Sequence, residues 1–233
     1  MSDAAEDAIK VLVKAFDDII ETGQVVIPAE NEQVFRAVYG WWTWINRSCK
    51  LVLLAHGAGL GHESAPSLRS IVEHSLLLQW VVDVGADAMA AVDAYDEERR
   101  RKLYDDLVAA GWPIPEELTR PEGAKHPLRP FLANFAQLCI AYGARSLYIP
   151  YRLMSTHVHP TAKGAEAYIR EEDGGLADHP VISIFGSFLA AAAVCVVQVA
   201  LTINDLLDNE TLSASINEAQ ELLGVTIERP KLS

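Results

Sequence analysis

Apolar residues recur every three or four positions along most of the chain, which is the spacing of one face of an α-helix. The first such run extends from Ile9 to Ile20 and ends at Gly23. A second run follows Pro28 and stops in the glycine-rich stretch 57–61. These two runs predict two long amphipathic helices whose apolar stripes face a common core.

Serine, proline and glycine residues mark the two ends of the next predicted helix. Ser64 is a candidate N-cap, Pro66 falls in the first turn, and Gly85 ends the pattern. Further helical patterns cover residues 86–110, 131–142, about 150–158, 180–207 and 212–223. About eight helices predict an all-α fold, a multi-helix bundle.

Two segments depart from the helical pattern. Residues 111–130 hold five prolines and no sustained periodicity, which predicts a long loop with at most a short helical turn. Residues 165–177 have the only strand-like pattern and predict one small β-hairpin. Because no repeat or linker divides the chain, we expect a single helical domain over residues 1–233.

The segment 184–203 is almost wholly apolar and has about the length that a membrane-spanning helix needs. It also contains Gln198, Thr202 and many alanines, which favours a helix buried in a protein core. The chain begins with an acidic stretch where a signal peptide would be basic. We therefore expect a cytoplasmic protein that does not associate with membranes.

The chain carries 19 Lys and Arg against 32 Asp and Glu, a formal net charge of −13. This charge disfavours broad electrostatic binding to nucleic acid or anionic lipid but leaves room for a local basic cleft. The basic run 99–102 lies among acidic residues at helical spacing, which predicts a self-paired, solvated helix face. Cys49, Cys139 and Cys195 lie in apolar stretches and predict buried free thiols.

Familiar catalytic motifs do not explain this sequence. It has no Gly-x-Ser-x-Gly, Cys-x-x-Cys, His-Glu-x-x-His or Walker A lysine. Residues 51–59 have the look of a hydrolase strand and oxyanion turn, but without a nucleophile elbow they predict a helix end and turn. We accordingly expect no cofactor.

The segment 151–160, Tyr-Arg-Leu-Met-Ser-Thr-His-Val-His-Pro, holds the main candidate site. At about 100° per residue, Arg152, Ser155 and His159 share one side of a helix, whereas His157 lies about 140° from Arg152. Pro160 ends the helix near His159, where free carbonyl groups favour a protonated imidazole. This combination suits phosphate binding or proton transfer, and a capping histidine without chemistry is the alternative.

A charged pair on the third helix is the second candidate. Arg69 and Glu73 are four residues apart, and the apolar run 76–82 that follows them indicates a central helix. A charged pair near buried surface is costly unless it has partners. The pair is therefore either a structural ion pair at a helix start or part of a polar network.

Together the two segments resemble a known family. Arg-Ser-x-x-Glu at residues 69–73, with the later Tyr-Arg-x-x-Ser-x-x-x-His-Pro at 151–160, resembles the DUF5677-type bacterial helical proteins of uncharacterised function. The resemblance covers roughly residues 30–208. Arg152 with His159, or with His157, also resembles the Arg-x(4–6)-His signature of HEPN-type ribonucleases.

The HEPN resemblance implies a homodimer in which arginine and histidine from two protomers cleave RNA without metal, as in defence and toxin systems. Arg152 would then stabilise the phosphorane, and His159 or His157 would transfer the proton. Ser155 would lie beside them, with Arg69, Glu73 and Tyr151 as supporting residues. Such a protein also has an unidentified protein partner or antidote as a candidate ligand.

Two other classes stay open. One is a metal-dependent or small-molecule enzyme in which ligands approach across two helices, the candidates being Glu73, His74, His157 and His159, with His56 and His62 as another pair. The other is a non-catalytic module that binds a partner or forms an oligomer. Burial of Arg69, Glu73, Arg152 and His159 in one hydrogen-bonded network would favour that module. An open cleft with Arg152 and His159 at its floor, particularly across a two-fold axis, would favour the nuclease.

Overall fold

The computed structural model describes residues 2–23, 25–116, 118–170, 175–181 and 185–233. These residues form an all-α multi-helix bundle. In chain order the α-helices are α1 Ser2–Thr22, α2 Glu32–Gly57, α3 Ala65–Val84, α4 Ala86–Ala109, α5 Arg129–Ala133, α6 Phe135–Ala141, α7 Arg145–Val158, α8 Ala162–Glu166, α9 Phe185–Asn204 and α10 Ser213–Leu223. A single 3-10 turn, Asp208–Glu210, precedes α10.

The centre of the bundle is formed by α3 and α9. Helix α3 packs against α2, α7 and α9, while α9 also packs against α1 and α10. Trp80 of α3 is 1% exposed, and Leu189 and Ile203 of α9 are completely buried. The sequence prediction of a central α3 and a buried α9 is confirmed. No helix in the described ranges combines the length and apolarity that a membrane crossing requires.

The first four helices follow the sequence pattern closely. Helix α2 runs to Gly57, so the stretch 51–59 is a helix end and turn as predicted. Gly85 lies at φ +71°, a left-handed value suited to glycine, and separates α3 from α4. Ser64 is the N-cap residue of α3, as predicted, but its side chain makes no capping hydrogen bond. The Ser64 hydroxyl donates instead to the Gly61 carbonyl oxygen at 2.7 Å.

Ion pairs on α4 hold the proline-rich segment. Lys102 pairs with Glu98 at 2.8 Å within the helix, which confirms a self-paired face. From outside the helix, Arg129 pairs with Glu98 at 2.5 Å, and Arg120 pairs with Asp105 at 2.7 Å. The described part of 111–128 has no helix, so the long loop is confirmed, and α5 begins at its end.

The described residues form ten α-helices instead of the predicted eight, because local geometry divides one predicted helix and adds another. The predicted helix 131–142 is broken at Asn134, which has extended backbone angles and accepts a hydrogen bond from the Ala136 amide at 3.1 Å. Helix α7 begins at Arg145, five residues before the predicted start, with Pro150 inside it. Proline in this position lacks the amide that would bond to the preceding turn, but packing against α3 holds the helix.

The predicted β-hairpin at 165–177 is reduced, in the described residues, to a short antiparallel pairing without strands. Its start is occupied by the short helix α8, and the described part contains no strand, only an isolated antiparallel bridge between Ile169 and Leu176. Residues 171–174, where the turn was predicted, lie outside the described ranges. Backbone hydrogen bonds flank the bridge, from the Arg170 amide to the Gly175 carbonyl oxygen at 2.8 Å and from the Ala177 amide to the Tyr168 carbonyl oxygen at 3.0 Å, so the two segments pair over too few residues to form strands.

The three cysteines are free and buried, as predicted. Burial raises the pKa of the Cys49 thiol to about 12. These thiols therefore behave as small apolar side chains of the core.

Candidate functional site

One face of α7 lines an open cleft of about 580 Å³. We call it the Arg152 cleft, and its wall includes Arg69, Glu73, Tyr95, Tyr148, Tyr151, Arg152, Ser155, His159 and Thr161, together with residues 132–136. Arg152 and Ser155 share a face of α7, and His159, the first residue after α7, lines the same cleft, as the helical spacing predicts. The structure also brings Arg69 and Glu73 of α3 into the same cleft.

Arg69 joins α3 to α7 through three contacts. Its Nε donates to Ser155 Oγ at 3.0 Å, and its Nη2 donates to the Tyr151 hydroxyl. The guanidinium carbon lies 4.4 Å from the centre of the Tyr151 ring. Glu73 approaches Arg69 Nη2 at 3.8 Å, so the charge has a partner. Arg69 is therefore a structural connector on the wall of the cleft.

Ser155 and Tyr151 complete this network. The Ser155 hydroxyl donates to the Tyr151 carbonyl oxygen at 2.8 Å while it accepts from Arg69. Tyr151 is 9% exposed and packs on Phe135, with ring centres 4.5 Å apart. Burial raises the pKa of Tyr151, and the Glu73 carboxylate raises it further, so the hydroxyl stays protonated. Both hydroxyl groups are hydrogen-bonded within the network, which makes these residues supports for the cleft.

Arg152 and His159, in contrast, are exposed in the cleft. The Arg152 guanidinium lies 5.9 Å from the Tyr148 ring centre and contacts the Tyr148 hydroxyl at 3.5 Å. Within the described residues no carboxylate forms an ion pair with Arg152. His159 is the residue that follows α7, as Pro160 predicts, and its backbone amide bonds to the Ser155 carbonyl oxygen at 3.2 Å. A cation without a carboxylate partner in the described part of the chain and an accessible imidazole thus line one opening.

His157 lies on another side of α7, as the helical spacing predicts. Its ring meets the His62 ring edge-to-face at 4.6 Å and lies 6.3 Å from Phe188. Burial lowers the pKa of His157, and the neighbouring His62 lowers it further. His157 is therefore separated from Arg152, and His159 is the histidine that shares the cleft with Arg152.

A second cleft of about 770 Å³ lies around His62. We call it the His62 cleft, and its wall includes His62, Glu63, Pro66, His157, His159, Thr161, Gly164 and Tyr168. His159 and Thr161 line both clefts, so the two openings adjoin. Sequence reasoning considered His62 only as a metal ligand and missed Tyr168, because contacts between the α2–α3 connection and the segment after α8 have no local sequence signal.

The alternative metal ligands are not brought together. His74 stacks on Trp44 at 4.4 Å and bonds to the Ser70 carbonyl oxygen at 2.8 Å, on the side of α3 that faces α2. Glu73 lies with Arg69, and His157 lies with His62. The pair His56 and His62 is also split, since His56 contacts Glu6 at 3.2 Å. Across the ranges that the structure describes, no three His, Cys, Asp or Glu side chains are grouped to hold a metal ion.

Comparison with known families confirms the DUF5677 resemblance. Residues 35–176 match the family described as "Family of unknown function (DUF5677)". The match covers more than half of the chain and both motif segments, so the chain belongs to this family. Comparison with curated proteins and with solved structures gives no match.

Proposed function

We propose that this protein is a metal-independent endoribonuclease of the HEPN type that acts at the Arg152 cleft. The proposal is carried by the placement in one open cleft of an exposed His159 and of Arg152, which has no carboxylate partner among the described residues. A guanidinium offers several N–H donors to a phosphate, and histidine exchanges a proton near neutral pH. Phosphodiester cleavage needs these two abilities.

The reaction proceeds by attack of the 2′-hydroxyl of RNA on the neighbouring phosphorus. A ring nitrogen of His159 takes the 2′-hydroxyl proton while the bond between the 2′-oxygen and phosphorus forms. Arg152 stabilises the charge that develops on the phosphorane oxygens. The bond to the 5′-oxygen then breaks, and the imidazolium returns the proton to that oxygen. The products are a 2′,3′-cyclic phosphate and a 5′-hydroxyl, so atoms and charges balance without water or metal.

The Arg69 network supports this chemistry indirectly. Arg69 binds Tyr151 and Ser155, which lie one and three positions from Arg152, and thereby holds the face of α7 that presents Arg152. A site held by rigid neighbours loses less entropy when the substrate binds. We assign Arg69, Ser155 and Tyr151 as positioning residues and Arg152 and His159 as the reacting pair.

The charge distribution favours a single-stranded substrate. With a net charge of −13, most of the surface repels a nucleic acid, so contact is confined to the cleft. A flexible single strand can enter such a confined opening, and its bases can stack on aromatic side chains such as Tyr148. A duplex needs a broader basic surface.

We further propose that the active form is a homodimer that pairs through α7. Ile149 is 63% exposed and Leu153 is 51% exposed, and both lie on α7 next to Arg152. Two large apolar side chains one turn apart on an exposed helix face are suited to burial against a second copy. This arrangement would bring two Arg152 clefts close to the two-fold axis.

The test uses purified full-length protein and a mixed pool of single-stranded RNA, with and without EDTA. We expect EDTA-resistant cleavage that produces 2′,3′-cyclic phosphate ends and is reduced at least about 100-fold in Arg152→Ala and His159→Ala. Arg145→Ala, an exposed arginine of α7 outside the cleft, and His179→Ala, an exposed histidine elsewhere, are the matched controls and retain activity. Cleavage abolished by EDTA, or equal in wild type and the two cleft variants, contradicts the proposal.

A second candidate function is phosphate-dependent binding without cleavage. It is favoured by the Arg69 network, in which every polar group of Ser155 and Tyr151 already has a structural partner. In that case the protein binds RNA from the same pool, and no new RNA ends are produced. Binding is then lost in Arg152→Ala and kept in His159→Ala, which separates the two functions.

A further inference from the structure

The His62 cleft has aromatic walls that the cleavage step does not use. The His62 ring lies between two others, 4.6 Å from the centre of the His157 ring and 5.8 Å from that of Tyr168, both edge-to-face. These rings come from the α2–α3 connection, from α7 and from the segment after α8. Three rings from separate segments make a surface on which a flat ligand can stack.

A carboxylate adds polar recognition to this surface. Glu63 is exposed, lines the cleft, and accepts a hydrogen bond from the Tyr168 hydroxyl. That bond raises the pKa of Tyr168 to about 12, so the tyrosine remains a donor and holds the carboxylate in place. Each carboxylate oxygen has two acceptor positions, and one bond from Tyr168 leaves the others for a ligand.

The wall of the cleft also contains an unsatisfied polar atom. His157 Nδ1 is enclosed and has no hydrogen-bond partner among the described residues. Enclosed polar atoms are nearly always hydrogen-bonded in folded proteins, and exceptions often lie at functional sites. The fold therefore leaves one polar atom of the His157 ring unused among the described residues.

We infer that the His62 cleft is a base-specificity subsite that binds guanine next to the cleaved phosphate. The inference rests on the proposed function for its RNA substrate. Guanine presents two adjacent N–H donors, N1–H and the 2-amino group, which match the two oxygens of one carboxylate. Adenine, cytosine and uracil each present a single donor group beside an acceptor on that edge, so they leave a carboxylate oxygen without a partner.

The position of the cleft explains why a bound base would direct cleavage. His159 and Thr161 line both openings, so a base in the His62 cleft belongs to a nucleotide adjoining the phosphate at Arg152. Stacking against the rings is tolerant of sequence, whereas pairing with Glu63 discriminates. The protein would therefore cleave preferentially beside guanine.

The first measurement is calorimetric binding of GMP, AMP, CMP and UMP to the full-length protein. All four share the same phosphate, so a difference in affinity reports the base. We expect GMP to bind about tenfold more tightly than the other three. Equal affinities for the four nucleotides overturn the inference.

The second measurement replaces Glu63 by an isosteric amide. In Glu63→Gln the amide oxygen still accepts from Tyr168, while the amide nitrogen becomes a donor that opposes guanine and suits N1 of adenine. We expect GMP affinity to fall about tenfold and AMP affinity to rise. Glu30→Gln, an exposed carboxyl before α2, is the control and keeps the preference. An unchanged preference in Glu63→Gln overturns the inference.

Mapping the ends of cleaved RNA separates this inference from the proposed function. Cleavage without base preference overturns the guanine subsite and leaves the nuclease intact. Guanine-selective nucleotide binding with no cleavage of any RNA overturns the nuclease and leaves the binding site.

Discussion

Arg69 of α3 lies with its guanidinium carbon 4.4 Å from the centre of the Tyr151 ring on α7, and it also donates a hydrogen bond to the hydroxyl of that ring. A cation above an aromatic face is attracted by the ring electrons, and the hydrogen bond fixes its direction. Because Tyr151 precedes Arg152, this contact sets the face of α7 that borders the cleft.

Replacing Arg69 should lower the free energy of unfolding more than replacing Arg152, which lines the same cleft. Arg69→Met keeps an apolar stem but leaves Tyr151 and Ser155 without their donor, and we expect a loss of about 1–3 kcal/mol in the free energy of unfolding. Arg152→Met is the control, with a change within about 0.5 kcal/mol, because Arg152 is exposed. Urea denaturation measures both, and equal losses would show that the Arg69 contacts do not stabilise the fold.

A charge on the exposed face of α7 should prevent dimer formation. Leu153 is 51% exposed. In a symmetric dimer of Leu153→Glu, the two introduced carboxylates would be buried against each other, which is unfavourable. We expect wild type to sediment as a dimer and Leu153→Glu as a monomer in analytical ultracentrifugation. Leu103→Glu on α4, where the leucine is 59% exposed, is the matched control and remains dimeric. A monomeric wild type at all protein concentrations would rule out this interface.

The ion pair between α4 and α5 should make stability depend on acidic pH. Hydrogen bonds from Arg129, and then from Lys102, lower the pKa of Glu98 from 4.5 to about 2. Because the folded state has the lower pKa, this carboxylate stabilises the fold fully above pH 4.5, and the effect is lost as the pH falls towards 2.

The corresponding measurement is the melting temperature of wild type and Glu98→Gln between pH 6 and pH 2. We expect the variant to melt lower at neutral pH and to lose less on acidification, so that the two curves converge near pH 2. Glu97→Gln, one residue away, removes a carboxyl without touching Arg129 and should follow the wild-type curve in shape. Parallel curves for wild type and Glu98→Gln would contradict the assignment.

Arg229, near the C-terminus, and Tyr142 should both stabilise the fold through their contacts with Asp83 of α3. This carboxylate accepts from the Tyr142 hydroxyl at 2.7 Å and pairs with Arg229 at 3.1 Å. Tyr142 is 3% exposed, and we expect Tyr142→Phe to lower the free energy of unfolding by about 1 kcal/mol. Tyr39→Phe, a more exposed tyrosine of α2, should change it little.

Combining Tyr142→Phe with Arg229→Met tests whether the two groups act through the same carboxylate. We expect the double variant to differ from the sum of the single losses, because both partners share Asp83. Strict additivity would mean that the tyrosine and the arginine stabilise the fold separately.

The helices and the alignment of the site on α7 follow from sequence because they depend on local spacing. Periodic apolar residues identify α1 to α4, and Arg152, Ser155 and His159 share a face in any regular helix through that segment. The start of α7 at Arg145 could not be predicted, because Pro150 is an unfavourable interior residue that packing against α3 tolerates. The break at Asn134 likewise depends on a single side-chain bond that competes with helix continuation.

By itself, then, the sequence determined an all-α bundle with a buried α9, a long proline-rich connection and a polar face on α7. Only the tertiary structure decided which charged side chains have partners. Arg69 donates hydrogen bonds to Tyr151 and Ser155, whereas Arg152 lines the cleft and has no carboxylate partner among the described residues. The tertiary structure also decided that His157 meets His62 and Tyr168 borders Glu63. These pairs lie about 100 residues apart in the chain, and such contacts depend on how helices pack and not on any local pattern.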